Sequence, residues 1–525
     1  MNFILKHNAF LVSLLSLIII TAIVYPHYQY YVDPDAVSYI TIAKRYAAGD
    51  YQKAVNGYWS PWSCWLTALF IRQGWKAFDA AIFVNTIGAA GFLWTSYCLL
   101  ILFLRNRSLI FSFTITIALF LVFAIFKQSF DDLWFFFFLL LILRVMLKNS
   151  FLEKPYLWLI SGLLGTFAYF SKAYAFPYFI LLSLAGVGSL FYQNSRAISK
   201  NFFLKVTGVM IGSFVLFSFP WLYLLHEKYG VWTTSSAGSL NLSWYLVGHP
   251  FYKEEIRLLI PPVYSDSIYF WEDPLLVNGA TPYFWSSAHY FFLQIVRTGY
   301  NVVKFFNSMN ELSCFSLPVL IFYLLFLFSK RLQRHFSKQL FFIAAASILF
   351  PLGYFLINFE SRYLWFLIPL SLTASGIAFE KYAVLFSTLF GRFLLMIICI
   401  SYLVFPVWDM KSMYNVGKDD YEFAQRLKVH NIKGSFASNT TNRTALQRMV
   451  RIAYFSENPY YYMPLAAGNK TDLLNELQRY PVRYYFQFSQ PFEMEDVSFI
   501  NSAGTAFPLI LRDTIAGVSI YKLQD

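Results

Sequence analysis

Val32-Asp33-Pro34-Asp35-Ala36-Val37-Ser38-Tyr39-Ile40-Thr41-Ile42-Ala43-Lys44-Arg45-Tyr46 is a polar stretch between two apolar runs, near residues 9–25 and 78–104. A Gly49-Asp50 turn follows, and then the aromatic segment Tyr58-Trp59-Ser60-Pro61-Trp62. Apolar runs of roughly 17–25 residues cross the ~30 Å hydrocarbon core of a bilayer as helices. The stretch therefore opens where a membrane helix ends, and its carboxylates Asp33 and Asp35 fall at the membrane surface. Val37, Ile40, Ala43 and Tyr46 recur at spacings of three, which predicts an amphipathic helix over 36–48 lying along that surface.

Outward from this stretch, further apolar runs fall near 108–126, 132–147, 156–171, 174–192, 206–225, 312–328, 339–357, 363–379 and 385–407. About eleven spans result. Hydrophobic residues are 58% of the 525 and charged residues 13%, which argues against a soluble fold. The aromatic share of 21% exceeds what interfacial belts require. A net charge of +13 would suggest nucleic acid in a soluble protein, but here the excess sits in short loops between spans. With no basic stripe carrying interleaved stacking aromatics, nucleic acid is set aside as a partner. Cys64, Cys98, Cys314 and Cys399 are scattered without metal-ligand spacing and read as buried single thiols. The first run lacks a small-residue cleavage site and reads as a retained anchor.

The basic residues orient the bundle. Lys6, Arg105, Arg107, Arg144, Lys148, Lys154, Arg196, Lys200, Lys205, Lys330, Arg331, Arg334, Lys338, Lys381 and Arg392 fall on one side under this count, the cytoplasmic one. The N-terminus is then cytoplasmic, and 26–77, 226–311 and everything after 408 lie outside. The expected division is a membrane domain over 1–407, with outer loops 26–77 and 226–311, and an extracytoplasmic α/β domain over 408–525. The loop 226–311 is rich in Trp, Tyr and Pro and reads as irregular. The last segment reads as helices over 420–429, 443–450 and 471–480, with strands over 434–437 and 482–488 and near 508–511 and 518–523.

Four places could carry chemistry. Asp33 and Asp35 repel each other, and one of them, partly desolvated, would serve as a general base. Capping of the 36–48 helix is the competing role. Lys172, in Phe170-Ser171-Lys172-Ala173, can hold a phosphate as a point charge or can snorkel from a helix end. Arg362 could clamp phosphate oxygens with Glu360 holding its fork, or the two could form a surface ion pair. Asp131 and Asp132 read first as helix caps, with a divalent metal or an acceptor hydroxyl as the alternative. No nucleotide-binding or nucleophile-elbow pattern appears, and no cofactor is implied.

The run Asp35, Tyr39, Ile42-Ala43 after a first span, followed by the aromatic Ser60-Pro61 turn, resembles the GT-C-fold glycosyltransferases. It is similar in particular to the bacterial group of protein O-mannosyltransferases and lipid A aminoarabinose transferases. Phe170-Ser171-Lys172-Ala173 looks like that group's Thr/Ser-Lys-Gly/Ala step, whose lysine contacts the lipid phosphate. Glu360-Ser361-Arg362-Tyr363 looks like its Glu-x-Arg-Tyr entrance to a late span. Where the aminoarabinose transferases carry Glu-Lys-Pro-Pro, this chain has Trp59-Ser60-Pro61-Trp62, so the resemblance carries a reaction class and not a substrate.

The resemblance implies a polyprenyl-phosphate-linked sugar as donor, with a glycan, lipid or protein acceptor, in a bacterial plasma (inner) membrane. Asp35, with Asp33 in reserve, would be the base of a single inverting displacement. Lys172 and Arg362 would hold the donor phosphate, with Glu360, Tyr39, Asp131 and Asp132 in support. The rival class is a transporter or flippase, which predicts ionisable or broken spans in paired halves with binding groups at the midplane. The spans here are almost free of such groups.

Overall fold

The computed structural model of the chain describes residues 2–128, 130–193, 199–247, 259–277, 282–337, 339–382, 388–439, 443–463, 470–488 and 507–524. The chain enters through α1 (Asn2–Tyr28) and then builds α2 (Pro34–Ala48), α3 (Tyr51–Ala54) and α4 (Pro61–Arg72). A bundle follows: α5 (Ala77–Phe103), α6 (Arg107–Phe126), α7 (Asp132–Met146), α8 (Pro155–Ser171), α9 (Ala175–Gln193) and α10 (Lys200–Tyr229). Between α10 and the later bundle helices lie α11 (Ala237–Val247), α12 (Pro274–Val277) and α13 (Ala288–Leu312). The bundle is completed by α14 (Ser316–Phe328), α15 (Lys330–Gln333), α16 (Gln339–Leu349), α17 (Leu352–Leu356), α18 (Leu367–Tyr382), α19 (Thr388–Ser401) and α20 (Val404–Met413).

Every apolar run read from the sequence contains helix. Among the described residues, six helices are long and apolar enough to cross a membrane by length and composition, and a bent pair makes a seventh. The shorter α7 is buried along nearly all of its length, so protein rather than lipid surrounds it. Small residues let helices close up: a Cβ at Gly162 of α8 would meet the Met210 carbonyl oxygen of α10 at 2.6 Å.

Two expectations change. First, α2 does not lie on lipid. Residues 36–43, Arg45 and Tyr46 are all buried. The helix packs on α4, on the 270–272 turn and beneath a helix of the C-terminal domain. Second, the segment read as irregular contains α13, which is 25 residues long. It meets α14 at a bend of 116°. Its apolar residues Phe292, Ile295, Val303 and Phe306 face outward, while Gln294 and Asn301 are buried. Polar residues interrupt the apolar runs along α13, which hides the helix from a search for long hydrophobic stretches.

The C-terminal part holds α21 (Lys418–Val429), β1 (Phe436–Ser438), α22 (Arg443–Ser456), β2 (Tyr460–Tyr461), α23 (Lys470–Arg479), β3 (Tyr484–Phe488), β4 (Leu509–Asp513) and β5 (Val518–Lys522). The sheet order is β2-β1-β3-β5-β4. β1 runs parallel to β2 and β3, and β5 runs antiparallel to β3 and β4. α20 continues through residues 407 and 408, so the α/β fold itself begins at α21. The domain is stitched to the bundle by backbone. Ile260 and Tyr462 exchange hydrogen bonds of 2.8 and 3.0 Å, and the Tyr460 N–H donates to the Ile268 carbonyl at 2.8 Å. The Lys44 ammonium of α2 lies 5.4 Å from the ring of Tyr454.

Candidate active site

Two neighbouring carboxylates at the head of α2 have different tasks. Asp33 is the N-cap residue, and its side chain accepts from the Ala36 N–H at 2.7 Å. Pro34 follows at the first helical turn, where the missing N–H costs nothing, and Gly49 closes the helix in the left-handed region at φ 82°. Gln128, itself at φ 59°, brackets this corner: its Oε1 accepts from the Asp33 N–H at 3.1 Å and its Nε2 donates to the Tyr31 carbonyl. Asp35 caps nothing. Its Oδ2 lies 3.4 Å from Nη2 of Arg362, more than 300 residues later in the chain.

Arg362 is the hub. Its Nε meets Glu360 Oε2 at 2.6 Å and Asp132 Oδ2 at 3.9 Å. Asp132 in turn pairs with Lys172, whose Nζ also meets Asp131 Oδ2 at 3.1 Å. The Tyr363 ring lies beside both cations, 4.7 Å from the Lys172 ammonium and 5.5 Å from the Arg362 guanidinium. Asp35, Arg362, Glu360, Asp132, Asp131 and Lys172 therefore form one contiguous cluster drawn from four parts of the chain. Asp131 and Asp132 do not cap α7, because no side chain accepts from its first N–H groups. They close on Lys172 instead, since a buried ammonium facing two carboxylates is better satisfied than a helix end. Asp132 Oδ2 is buried and accepts no hydrogen bond among the described residues. No group of three or more His, Cys, Asp or Glu side chains among those residues is arranged to hold a metal ion.

The electrostatics follow from this placement. Asp35 and Glu360 keep 39% and 41% of their side-chain surface open, yet both are deeply enclosed, so they face a recess and not bulk water. Burial and the charge of Asp35 push the Asp33 carboxyl up to about 7. Burial also raises Asp35, against the pull of Arg362. Burial acts to raise Glu360 too, but Arg362, Lys172 and also Lys304 outweigh it and hold it below its ordinary value. Burial acts to lower Lys172, but Asp131 and Asp132 leave it above its ordinary value.

Aromatic side chains wall the recess. Tyr39 packs edge-on against Trp59 at 5.1 Å and against Phe130 at 6.2 Å. The Trp59 indole N–H donates to the Trp271 carbonyl at 2.9 Å, and Asn56 Oδ1 accepts from the N–H groups of Tyr58 and Trp59 at 2.8 and 2.9 Å. The Tyr58–Pro61 turn is thereby fixed to the long segment after α10.

A second charged cluster lies nearby, and sequence reading missed it. Arg45 Nη2 pairs with Glu272 Oε2 at 2.8 Å and donates to Ser267 Oγ at 2.7 Å. Lys228 Nζ pairs with Asp273 Oδ2 at 2.8 Å, and the Tyr229 hydroxyl donates to the same carboxylate at 2.9 Å. Glu272-Asp273 is an acid pair in an aromatic stretch, the same signal that singled out Asp33 and Asp35. Two further cations escaped notice for want of the α13 helix. Arg297 Nη2 and Lys304 Nζ each donate to Asn358 Oδ1 at 3.0 Å.

No protein-family model matches the sequence, and no curated protein matches it. Solved structures do. The chain has the GT-C fold of polyprenyl-phosphate-dependent membrane glycosyltransferases. One neighbour is ArnT of Cupriavidus metallidurans bound to undecaprenyl phosphate, at TM-score 0.50 and 12% identity over 97% of both chains. Another is the oligosaccharyltransferase of Archaeoglobus fulgidus, at TM-score 0.50 and 14% identity over 90% of this chain and 69% of that one. At these identities the likeness establishes a shared fold.

Proposed function

We propose that this protein is a membrane glycosyltransferase that moves a sugar from a polyprenyl-phosphate carrier to an acceptor hydroxyl. The observation that carries the reading is the 3.4 Å approach of Asp35 to Arg362, which puts a carboxylate base beside a fixed cation in an enclosed recess. The GT-C neighbours support it: one was solved with undecaprenyl phosphate, and the other is an oligosaccharyltransferase. The chemistry belongs on the outer face of a bacterial plasma membrane, the side without the short basic loops.

Asp35 draws the proton from the acceptor hydroxyl as that oxygen bonds to the sugar's anomeric carbon. The bond from that carbon to the phosphate oxygen breaks, and its electron pair leaves with the lipid phosphate. One displacement inverts the anomeric configuration. Negative charge grows on the phosphate as the bond lengthens, so Arg362 stabilises the transition state more than the ground state. Lys172 adds charge from behind Asp132 and fixes the carboxylate that orients Arg362. Asp132 stands between the two cations, paired with Lys172 through Oδ1 and facing Arg362 through Oδ2. The walls of Tyr39, Tyr58 and Trp59 keep out water, which would otherwise take the sugar. Asp33 Oδ1 caps α2, which supports Asp35 as the base.

The test is transfer from cell-envelope polyprenyl-phosphate sugars by the purified protein in nanodiscs, followed by mass spectrometry of the products. Asp35→Asn should lower the rate by about 10²–10⁴-fold with an unchanged melting temperature. Full transfer by that variant would remove Asp35 as the base.

A further inference from the structure

Residues 268–271 lie between the C-terminal domain and the head of α2, and they hold both. On the domain side, the Tyr460 N–H donates to the Ile268 carbonyl at 2.8 Å, and the Phe270 ring stacks on that of Tyr462 at 5.3 Å and 14°. On the other side, Tyr269 reaches Pro34 and Ser38, and the Trp271 carbonyl accepts from the Trp59 indole N–H. Tyr269 has extended backbone, φ −160° and ψ 178°, which sends its side chain and that of Phe270 opposite ways.

Tyr269 is buried, and its single hydroxyl hydrogen goes to the Pro34 carbonyl at 2.6 Å. With that hydrogen committed, the phenol oxygen accepts from Ser38 Oγ, 2.9 Å away. Ser38 Oγ also lies 3.3 Å from the Pro34 carbonyl, so three oxygens close a triangle within the first turn of α2. The carbonyl at its corner belongs to the Pro34–Asp35 peptide. A rotation of that peptide plane carries the Asp35 Cα with it, and the carboxylate has to stay beside Arg362, at 3.4 Å. A first helical turn opens easily unless its backbone is tied. Asp33 ties it locally through the Ala36 N–H. Tyr269 ties it from 235 residues away in the chain. Glu272 grips the same helix at Arg45, near its other end. That pair sets where α2 lies, whereas Tyr269 sets how Asp35 is presented.

We infer that Tyr269 is a positioning residue for Asp35, held in register by the C-terminal domain through Ile268 and Phe270. The inference rests on the proposed transferase function and adds a duty to the C-terminal domain: its seating on the bundle fixes the angle of the base. The hydroxyl takes no part in proton transfer. It acts through the Pro34–Asp35 peptide, so it belongs to turnover and not to donor affinity.

The test compares the full chain with Tyr269→Phe and Tyr462→Leu in nanodiscs. Transfer kinetics with cell-envelope polyprenyl-phosphate sugars are measured beside hydrogen–deuterium exchange over residues 34–46. Tyr269→Phe keeps the ring, so its melting temperature should stay close to the parent's. Its kcat should fall about 10- to 100-fold with KM for the donor unchanged, the loss that a misplacement of about 1 Å brings. Exchange at the head of α2 should rise. Tyr462→Leu removes the ring stacked on Phe270. It should lower kcat in the parent and add little to Tyr269→Phe, since both act through one contact. Raised exchange with an unchanged kcat would reduce Tyr269 to a structural contact and overturn the inference. Unchanged exchange would overturn it too. Full additivity of the two substitutions would overturn the part played by the C-terminal domain. If the parent transfers no sugar from any carrier while exchange rises in both variants, the transferase reading fails and the hold on the Asp35 peptide stands.

Discussion

The molecule holds two charged clusters within a few turns of each other, both anchored on α2, and they are built on opposite principles. In the Arg45–Glu272 and Lys228–Asp273 cluster every ion has a partner, and neither carboxylate has any exposed surface. Ser267 accepts from Arg45, Tyr229 donates to Asp273 and the Ile268 N–H donates to Glu272 Oε1, while Glu272 Oε2 meets Arg45 as an ion pair. In the Asp35–Arg362–Lys172 cluster, carboxylates outnumber the well-placed cations and Asp35 opens onto a recess. A closed cluster fixes geometry, here the register of α2 against the segment that follows α10. An open one holds charge ready for a ligand. The difference separates structure from chemistry where residue type alone cannot, since both clusters are acids and bases beside aromatic rings.

The comparison breaks most sharply under paired substitution. Glu272→Ala leaves the Arg45 guanidinium buried without its carboxylate, which costs about 3–5 kcal/mol. The expected result is a clear drop in melting temperature in detergent, with transfer per folded molecule nearly unchanged. Asp35→Asn should do the reverse. A Glu272→Ala protein of normal stability and abolished transfer would show that the closed cluster belongs to the reaction.

Much of this arrangement was legible in the sequence, and what was not has a physical reason. Asp35, Lys172 and Arg362 each follow or precede an apolar run, so the alternation of the spans alone places them at one end of the bundle. Their convergence at that end was an expectation of the resemblance, because alternation does not say which helices are neighbours. The helices and strands of the C-terminal domain, down to β3 and β5, were likewise readable from alternation and from Gly and Pro punctuation. Arg45–Glu272 was invisible because a pairing more than 200 residues apart depends on how an irregular segment folds back over α2. α13 escaped because its polar face, with Arg297, Asn301 and Lys304, interrupts each apolar run. Asp131 and Asp132 were read as caps because local bonding is the default for acids at a helix start. Lys172, contributed by the following helical hairpin, offers them more.

The pH response sharpens the contrast next. Asp33 is pushed up to about 7, and Asp35 is raised with it. Two such close carboxyls titrate as a pair. The base works only when ionised and its carboxyl is raised by burial, so transfer should fall as pH drops, with its acid limb above that of an ordinary carboxylate. Stability should move the other way. The folded state binds these protons more tightly than the unfolded chain, so their contribution favours the fold at low pH. It diminishes as pH rises from the unfolded value near ~4. Rate–pH profiles and melting temperatures on one sample check both signs. Asp33→Asn should move the acid limb of the rate to lower pH, because it removes a neighbouring negative charge. A limb that stays in place would show that Asp35 does not feel Asp33.

The smallest expected effect tests the division of labour within the acid pair. Asp33→Ala removes the side-chain cap on the Ala36 N–H and should cost about 1 kcal/mol of stability. Asp33→Ser, which can still cap, should restore most of it. Neither should approach the rate loss of Asp35→Asn, because α2 is also held by Pro34, by Gly49 and by burial on nearly every side. The rate of Asp33→Ser is the decisive number. A serine restores the hydrogen bond but not the charge, so a rate near that of the parent would show that Asp33 serves the helix. A rate as low as that of Asp35→Asn would show that the proton is shared between the two carboxylates and that the base is the pair.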